Sequence, residues 1–474
     1  MFISTIALVI GVLPIVTFAY SGSLDIGEYL LPMLITGFVG GALVFANANR
    51  GKSTVKIDAK NAFLLTTLLW LAIPVFAGLP FFFHKTFHLS FIDSCFEAAS
   101  ALTTTGFSVL KNSNTTIPME ITVWRFILSY IGGIGIVLMG MVIFPILHIG
   151  GMSLFRRESS EKGEKVLPRI SQIASVCVGL YSLVMVICSV LLRCSGIEWL
   201  DAVCHAVSAV STCGFSTHSG QLSSYITPFG EFVLIAGMIF GGSPILLFVK
   251  MLKRGLTALR EDEQFTGYIR VCLFGSAIVV LFLLLRGSYS VTESVRKGVL
   301  NAVSVITTTG FCNDISFEHF GAALFFFCSF IGGCTGSTSG GLKIFRLQII
   351  LELIKVHVKQ SWKRHNRFIP IYMGQKITEN IASSVYVFFI LYFLSILAIT
   401  GALTLFNFDL WSALSAAVAT IGNVGMGFGD IVGTNAQISA IPYGAKLILM
   451  FGMILGRLEL LTVLILFSPA FWKR

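Results

Sequence analysis

The sequence predicts an all-α membrane protein with four membrane–pore-loop–membrane repeats around a pseudo-four-fold pore, preceded by two extra transmembrane helices. Hydrophobic residues make up 55% of the 474 residues and charged residues only 12%, whereas soluble domains contain roughly 25% charged residues. Apolar stretches of about twenty residues recur along the chain, long enough to cross a hydrocarbon core of ~30 Å. Four short segments between these stretches share a Thr-x-Gly pattern, which indicates a repeat.

The apolar stretches give about ten predicted spans, and the first is interpreted as a retained span because it lacks the basic region of a signal peptide. The spans lie near residues 3–20, 29–47, 62–83, 120–147, 171–193, 228–252, 269–286, 319–355, 380–405 and 442–468. Grouped by the repeat, they form two extra helices in residues 1–60 and four repeats in residues 61–160, 161–260, 261–375 and 376–474. The third repeat is predicted to have a broken second helix and a loop at 332–341.

The formal net charge of +10 is explained by membrane topology rather than by binding to nucleic acid. Lys and Arg cluster in the connections 50–60, 156–169, 250–260 and 343–376. Counting the spans places all four connections on one face, together with both termini. The positive-inside rule identifies that face as cytoplasmic.

The four short segments lie on the opposite face, at 93–105, 201–213, 295–309 and 409–421. They are too short to cross a membrane, so we interpret them as re-entrant half-helices. Each is followed by one member of a glycine column with spacings of about 108, 96 and 112 residues, formed by Gly106, Gly214, Gly310 and Gly422. The recurrence predicts four equivalent units around one axis.

Other columns of the alignment support the repeat. Two positions before the glycine stand Thr104, Thr212, Thr308 and Thr420, and one position after it stand Phe107, Phe215, Phe311 and Asn423. Thirteen positions before it stand Asp93, Asp201, Lys297 and Asp409. Since Asp is a common N-cap that complements the helix dipole, we expect it to begin the half-helices, with Ser294 in its place in the third unit. The fourth loop departs most from the others, at Asn423 and Val424.

The glycine loops have the composition of a cation filter. A permeating cation exchanges much of its water for other oxygens, and rings of backbone carbonyls supply them without a full charge in the membrane. Glycine permits the backbone conformations that such a ring requires, and the negative end of each half-helix favours a cation. Close helix packing is the alternative role for glycine. It accounts for Gly132, Gly133, Gly241 and Gly242 within spans but not for the four matched columns.

This arrangement resembles the superfamily of K⁺ transporters that includes the bacterial TrkH and KtrB proteins, fungal Trk and plant HKT. The resemblance covers essentially the whole chain, and the two helices ahead of the first repeat favour the TrkH type. It implies K⁺ as the transported ion, with Rb⁺ as a surrogate, because every loop carries the glycine. It also implies a filter lined by the carbonyls of Thr104, Thr105, Gly106, Thr212, Cys213, Gly214, Thr308, Thr309, Gly310, Thr420, Ile421 and Gly422.

A second polar segment, FIGGCTGSTSGGLK from Phe330 to Lys343, interrupts the eighth span. Gly, Ser and Thr at this density disfavour continuous helix, and the segment lacks the GxxxxGK[ST] spacing of a phosphate loop. We interpret it as an intramembrane flap across the ion path.

The matching part of the fourth repeat carries Arg457, and an arginine within a span is a functional candidate by default. It could bond loop carbonyls freed by the broken helix. A local ion pair with Glu459 is the alternative, although residues two apart lie on different helix faces. In the resemblance this loop and this arginine form the gate, which comprises Gly332, Gly333, Gly336, Ser337, Gly340, Gly341 and Arg457.

Two functions remain open from the residues. The first is gated K⁺ uptake through the filter, and the alternative is a Na⁺- or H⁺-coupled secondary transporter of K⁺, or of K⁺ and Na⁺. Coupled transporters carry ionisable residues near the midplane, and Glu97 and His205 share one alignment column near the filter. Cys204, His205 and Cys213 are close enough in sequence for a metal site, but without zinc-type spacing they are better explained as packing residues. No catalytic motif supports a membrane enzyme.

The resemblance also implies partners and a location. It implies a homodimer in the bacterial inner (plasma) membrane, in contact with lipid, and a cytosolic TrkA-type ring that binds nucleotides and regulates the gate. This chain has no nucleotide motif, so we expect no organic cofactor in it and no nucleic acid partner. The basic helix after the flap is either an interfacial helix end or a docking surface for a cytosolic partner.

Overall fold

The computed structural model describes residues 2–15, 27–48, 59–85, 89–110, 117–147, 170–218, 222–287, 289–312, 320–363, 368–433 and 438–473. The first predicted span is therefore described only as far as residue 15, and the basic connection 156–169 lies outside the described residues. Within them, regular structure is helical apart from one two-stranded hairpin, β1 (Ile371–Tyr372) and β2 (Gln375–Lys376). The predicted all-α fold is confirmed.

The helices are labelled in chain order. They are α1 (Phe2–Ile10), α2 (Gly27–Ala48), α3 (Ala59–Ala77), α4 (Leu79–Phe83), α5 (Phe91–Leu102), α6 (Met119–Leu147), α7 (Ile170–Cys194), α8 (Trp199–Val210), α9 (Pro228–Gly241), α10 (Ile245–Arg254), α11 (Thr257–Glu261), α12 (Glu263–Arg286), α13 (Val291–Ile306), α14 (Phe320–Cys328), α15 (Ile344–Trp362), α16 (Glu379–Thr404), α17 (Leu410–Ile421), α18 (Tyr443–Arg457), α19 (Leu461–Leu464) and α20 (Pro469–Trp472). Short 3₁₀ turns occupy Leu222–Ser224, Ile438–Ala440 and Ile465–Phe467.

Four units of long helix, short helix, loop and second long helix surround a common axis. Their short helices are α5, α8, α13 and α17. The short helix of one unit packs against the second long helix of the unit before it: α8 against α6, α13 against α9, and α5 against α18. The last contact joins the first unit to the fourth and closes the ring, as expected for pseudo-four-fold symmetry.

In three units, a glycine in the second long helix also brings that helix close to the short helix of its own unit. A Cβ on Gly132, Gly241 or Gly456 would overlap the carbonyl oxygen of Leu102, Val210 or Ile421, respectively, the last residue of a short helix. The packing role predicted for Gly132 and Gly241 is therefore what the structure shows. It places each long helix directly against the polar end of a short helix.

The short helices begin where capping side chains allow. Ser290 and Glu293 form a capping box, so α13 begins at Val291, about one turn before the predicted 295, and Ser294 is not its cap. Ser90 rather than Asp93 caps α5. Asp409 caps α17 as predicted, and hydrogen bonding by Ser412 holds the pKa of the Asp409 carboxyl below its ordinary value.

Two spans predicted as continuous are bent. The helix pair α9 and α10 turns by 96°, and the pair formed by α18 and 461–467 turns by 109°. The first bend follows from Gly242 and Pro244, and the second coincides with left-handed backbone at Glu459 and Leu460. Among the described residues, six single helices are long and apolar enough to cross a membrane, or up to eight spans if each bent pair counts as one.

Candidate functional site

The four loops after the short helices share an unusual backbone conformation. In the first three units a threonine with left-handed φ precedes the column glycine by two residues, at Thr104 (50°), Thr212 (54°) and Thr308 (59°). The glycines themselves have φ of 88°, 80° and 85° at Gly106, Gly214 and Gly310. In the fourth unit the same pair is Asn423 (52°) and Gly425 (67°). Asn is among the non-glycine residues that tolerate this region best.

Backbone hydrogen bonds give the same register. The residue between the two left-handed positions donates its N–H to a carbonyl in the last turns of the short helix: Thr105 to Ser100 (2.9 Å), Cys213 to Ser208 (2.9 Å), Thr309 to Ser304 (2.8 Å) and Val424 to Ala419 (2.9 Å). The alignment on Gly422 is therefore wrong by three residues for the fourth loop. Thr420 and Ile421 lie in the last turn of α17, and Gly422 is its C-cap with φ −75°.

The column glycines and their neighbours form a closed cycle. A Cβ on Gly106 would overlap the carbonyl oxygen of Cys213, and the same holds for Gly214 with Thr309, Gly310 with Val424, and Gly425 with Thr105. Each loop thus lays one carbonyl against the glycine of the preceding loop, and the first loop lays its carbonyl against the glycine of the fourth. Four carbonyl-bearing loops converge in this way without side chains between them, which is the geometry that a dehydrated cation requires.

The helix starts seen in the structure give the same register as the loop backbone. Gly425 is as far from the cap Asp409 as Gly106 is from Ser90 and Gly214 from Glu198. The match between Thr420 and the other threonines concealed it.

A buried ion pair supports the first loop from behind. Arg125 Nε lies 2.7 Å from Glu97 Oε1, and neither side chain is more than 4% exposed. Ser108 Oγ and the Val109 N–H each donate to the Glu97 carboxylate at 2.9 Å. The guanidinium also stacks over Phe215 of the second loop, 4.1 Å from the ring centroid. The pair therefore links the outer ends of the first two loops.

His205 occupies the matching position in the second unit. Its Nε2 lies 3.2 Å from Ser216 Oγ and 3.3 Å from Tyr225 Oη, and its Nδ1 lies 2.7 Å from the Asp201 carbonyl oxygen. His205 thus supports Ser216 as Glu97 supports Ser108. The described residues contain no group of three or more His, Cys, Asp or Glu that could hold a metal ion.

The polar loop of the third unit lies beneath these four loops. Helix α14 ends at Cys328, and helix α15 begins at Ile344. Between them, Gly332, Gly336 and Gly341 adopt φ of 74°, 76° and 72°. Gly340 approaches the carbonyl oxygen of Gly422 so closely that a Cβ would overlap it. The loop therefore packs against the end of α17, directly under the fourth loop.

Arg457 contacts this loop as predicted. Its Nη1 donates to the Thr338 carbonyl oxygen at 2.6 Å, and its Nη2 lies 3.4 Å from the Gly132 carbonyl oxygen. The side chain is buried, with 2% exposure. The alternative pairing with Glu459 is wrong, because Glu459 Oε2 instead accepts from Arg346 Nη2 at 2.5 Å.

Three further residues at the loop were missed by sequence reasoning. Thr338 bonds to the second unit, and Ser339 bonds to Thr307 of its own unit. Lys343 Nζ donates to the Ser339 carbonyl oxygen at 2.5 Å. Lys343 and Arg457 line one small polar cavity with Ser337 and Gly340. The signal was the polar character of the whole segment, but only the fold shows which side chains reach a partner.

The chain matches the family model TrkH, described as a cation transport protein, over residues 32–474. It is 35% identical over 426 residues to the Trk system potassium uptake protein TrkI of Halomonas elongata, covering 89% of this chain and 85% of that protein. It is 32% identical over 440 residues to the Trk system potassium uptake protein TrkH of Escherichia coli K12, covering 89% and 88%. The crystal structure of the potassium transporter TrkH from Vibrio parahaemolyticus resembles the fold with a TM-score of 0.89 at 26% identity, covering 100% of this chain and 97% of that one.

Proposed function

This chain belongs to the TrkH family of cation transport proteins, and from that premise we propose that it takes up K⁺ through a gated pathway formed by its four glycine loops. The observation that carries the proposal is the closed cycle of glycines and carbonyls. Carbonyl rings replace the hydration shell of a cation, and the four short helices direct their negative ends toward the same point.

The proposed filter follows the observed backbone rather than the sequence alignment. In the first three loops it comprises the predicted residues, Thr104 to Gly106, Thr212 to Gly214 and Thr308 to Gly310. In the fourth loop we propose Asn423, Val424 and Gly425, since these residues share the conformation of the others. Thr420, Ile421 and Gly422 then serve as the end of the supporting helix.

The proposed gate is the loop at 332–341 together with Arg457. The glycines of the loop allow close approach to the filter, as at Gly340, and Ser337 closes its turn by donating to the Cys334 carbonyl oxygen at 2.5 Å. The guanidinium on the Thr338 carbonyl holds the loop in place. Its charge opposes a cation below the filter, so both the loop and the arginine must shift for conduction.

Membership of the family supports a proposed setting for the pore. We propose a homodimer in the bacterial inner membrane with both termini cytoplasmic. A cytosolic, nucleotide-binding regulator of the TrkA type would act on the gate. The relatives named above are potassium uptake proteins of Trk systems, which supports K⁺ as the ion for this chain.

Coupling to Na⁺ or H⁺ is the second candidate, favoured by two buried ionisable residues beside the filter. Glu97 and His205 occupy equivalent positions behind the first two loops. Both are held by several hydrogen-bond partners. A relay residue would have to release these contacts during each cycle.

The test is ion flux into vesicles containing the purified protein, with K⁺, Rb⁺, Na⁺ and Li⁺ compared. We expect uptake of K⁺ and Rb⁺ to exceed that of Na⁺ and to follow the K⁺ gradient alone. Gly310→Ser should reduce the preference, because its Cβ would overlap the Val424 carbonyl oxygen. Equal uptake of Na⁺ and K⁺ by the wild-type protein would contradict the proposed filter, and a requirement for a Na⁺ or H⁺ gradient would favour the second candidate.

A further inference from the structure

We propose that Thr338, a residue of the intramembrane loop, determines ion selectivity by holding the filter from below. The position of the gate then sets the geometry of the filter. This inference rests on the proposed function, because it assigns a selectivity role to a residue outside the proposed filter.

The left-handed residues at the base of the filter connect it to the gate. Thr212 Oγ1 lies 3.1 Å from Thr338 Oγ1, and Thr308 Oγ1 accepts a hydrogen bond of 2.8 Å from the Gly340 N–H. The second and third filter loops are therefore bonded directly to the intramembrane loop. These bonds are buried, so a donor or acceptor left without its partner would cost about 1–3 kcal/mol in desolvation.

The equivalent residues of the other two loops have different contacts. Asn423 Nδ2 donates to Thr105 Oγ1 at 3.0 Å and to the Met453 carbonyl oxygen at 2.9 Å. Met453 precedes Arg457 by about one turn of α18. Thr104 Oγ1 has no hydrogen-bond partner among the described residues. The fourth loop thus bonds to the helix that carries the arginine, whereas Thr104 Oγ1 makes no such bond among the described residues.

Thr338 is where the filter and the arginine meet. Its Oγ1 lies 3.1 Å from the Val210 carbonyl oxygen and 3.0 Å from that of Gly241, and its N–H donates to Gly241 at 2.9 Å. Its own carbonyl oxygen accepts from Arg457. Thr338 therefore contacts the end of α8, the filter residue Thr212 and the guanidinium of Arg457. It cannot move away without releasing Thr212.

Ser339 supplies a second, independent connection. Its Oγ donates to the Thr307 carbonyl oxygen at 2.6 Å, and Thr307 Oγ1 lies 2.8 Å from Thr309 Oγ1. Thr307, whose carbonyl oxygen accepts this bond, directly precedes the left-handed Thr308. Movement of the loop would thus release the third filter loop as well as the second.

Two elements joined in this way have coupled equilibria. If the loop conformation changes the affinity of the filter for an ion, the ion must change the stability of the loop by the same factor. A loop position that supports the carbonyl cycle favours K⁺, and a displaced loop leaves two of the four filter loops less constrained. Selectivity then depends on residues that touch no ion.

The experiment measures Rb⁺ and Na⁺ uptake into vesicles for Thr338→Val, which keeps the shape of the side chain and removes its hydroxyl. We expect the ratio of Rb⁺ to Na⁺ uptake to fall roughly fivefold or more, the lower range of measured site-to-site coupling. Thr335→Val is the matched control on the same loop, because Thr335 Oγ1 is buried without a hydrogen-bond partner among the described residues. It should keep the wild-type ratio.

Ser339→Ala tests the second connection, and it serves in place of Thr338→Val if that variant does not fold. It should also lower the ratio. Wild-type ratios in the folded variants, even with higher total uptake, would overturn the coupling, since the loop would then gate without affecting selectivity. A wild-type protein that does not prefer Rb⁺ over Na⁺ would instead refute the proposed function, so the two failures are distinguishable.

Discussion

Arg457 and Thr338 are joined by a hydrogen bond of 2.6 Å, although 119 residues separate them in sequence. The guanidinium also reaches the Gly132 carbonyl oxygen, so it connects the fourth unit to the third and the first. These two carbonyls accept from Nη1 and Nη2 without cancelling the charge of the guanidinium. The carboxylate nearest in sequence, Glu459, is paired with Arg346. Arg457 therefore keeps its positive charge beneath the four loops, where it can repel a cation.

Removing that charge should increase basal ion flux. At an effective dielectric constant of about 20, two unit charges about 4 Å apart repel by roughly 4 kcal/mol. We expect Arg457→Ala to raise Rb⁺ uptake into vesicles by roughly tenfold or more, since each ~1.4 kcal/mol of barrier is a factor of ten. Arg457→Lys is the matched control, because it keeps the charge and loses the fork of donors.

The two variants separate charge from contact. Uptake by Arg457→Lys near the wild-type level, with high uptake by Arg457→Ala, would identify the charge as the barrier. High uptake by both would identify the hydrogen bond to Thr338 as the element that holds the gate. Wild-type uptake by a correctly inserted Arg457→Ala would contradict any gating role.

The register of the fourth loop predicts different outcomes for two neighbouring glycines. Gly425→Ala places a Cβ on the Thr105 carbonyl oxygen, in a left-handed conformation that alanine disfavours. We expect it to abolish the preference for K⁺ over Na⁺ in the vesicle assay. Gly422→Ala lies at a right-handed position, and its nearest neighbour is the Val418 carbonyl oxygen at 2.8 Å within the same helix end. It should lower protein stability and keep the preference. If Gly422→Ala instead abolished the preference and Gly425→Ala kept it, Gly422 would be the filter glycine, as the sequence alignment predicted.

Much of the fold could be predicted from the sequence because burial in lipid leaves a strong hydropathy signal. Six helices long and apolar enough to span stand where apolar stretches were found, and the short helices follow from the repeat. The bends at Gly242 and Leu460 were missed, because hydropathy reports apolarity and not direction. Contacts such as Arg346 with Glu459 join residues 113 positions apart. Only the packing of helices brings them together.

The shared loop conformation could be predicted where the units are alike, and its register was misplaced in the one unit that differs. Three loops share a threonine and a glycine at fixed spacing. In the fourth, asparagine replaces the left-handed threonine, and an unrelated Thr420 stands in the expected column. Asn423 tolerates the left-handed conformation, whereas Thr420 lies in the last turn of α17, before the loop. Aligning the residue types therefore misplaced the fourth loop by three residues. Backbone φ resolves the ambiguity because it reports conformation directly.

An ion pair between the first and fourth units should stabilise the closed ring. Lys446 Nζ lies 2.6 Å from Asp93 Oδ1, with side-chain exposures of 1% and 15%. Breaking a buried pair by removing one partner costs about 3–5 kcal/mol. We expect Lys446→Met and Asp93→Asn each to lower the thermal unfolding temperature in detergent, and the double variant to lose less than the sum. Lys355→Met is the control, because its pair with Glu352 is exposed. Additive losses would show that the pair does not couple the units.

The Glu97–Arg125 pair allows the structural and the ion-coupling interpretations to be separated. The Glu97 carboxylate forms an ion pair with Arg125 and accepts hydrogen bonds from Ser108 and the Val109 N–H, so both of its oxygen atoms are engaged. Glu97→Gln leaves the Arg125 guanidinium buried without its counter-ion, and Arg125→Met leaves the carboxylate in the same situation. We expect each single variant to lower stability by about 3–5 kcal/mol and to reduce K⁺ uptake. The double variant should recover part of both, because neither charge is then unpaired.

A proton relay at Glu97 predicts a different result. Removing the carboxylate would abolish any dependence of K⁺ uptake on a pH gradient, and Arg125→Met could not restore uptake to Glu97→Gln. Rb⁺ uptake is therefore measured in vesicles with and without an imposed pH gradient for all four proteins. Recovery in the double variant, with uptake by the wild type unchanged by the gradient, would establish a structural pair. Gradient-driven uptake that is lost in both Glu97 variants would establish a coupled transporter instead.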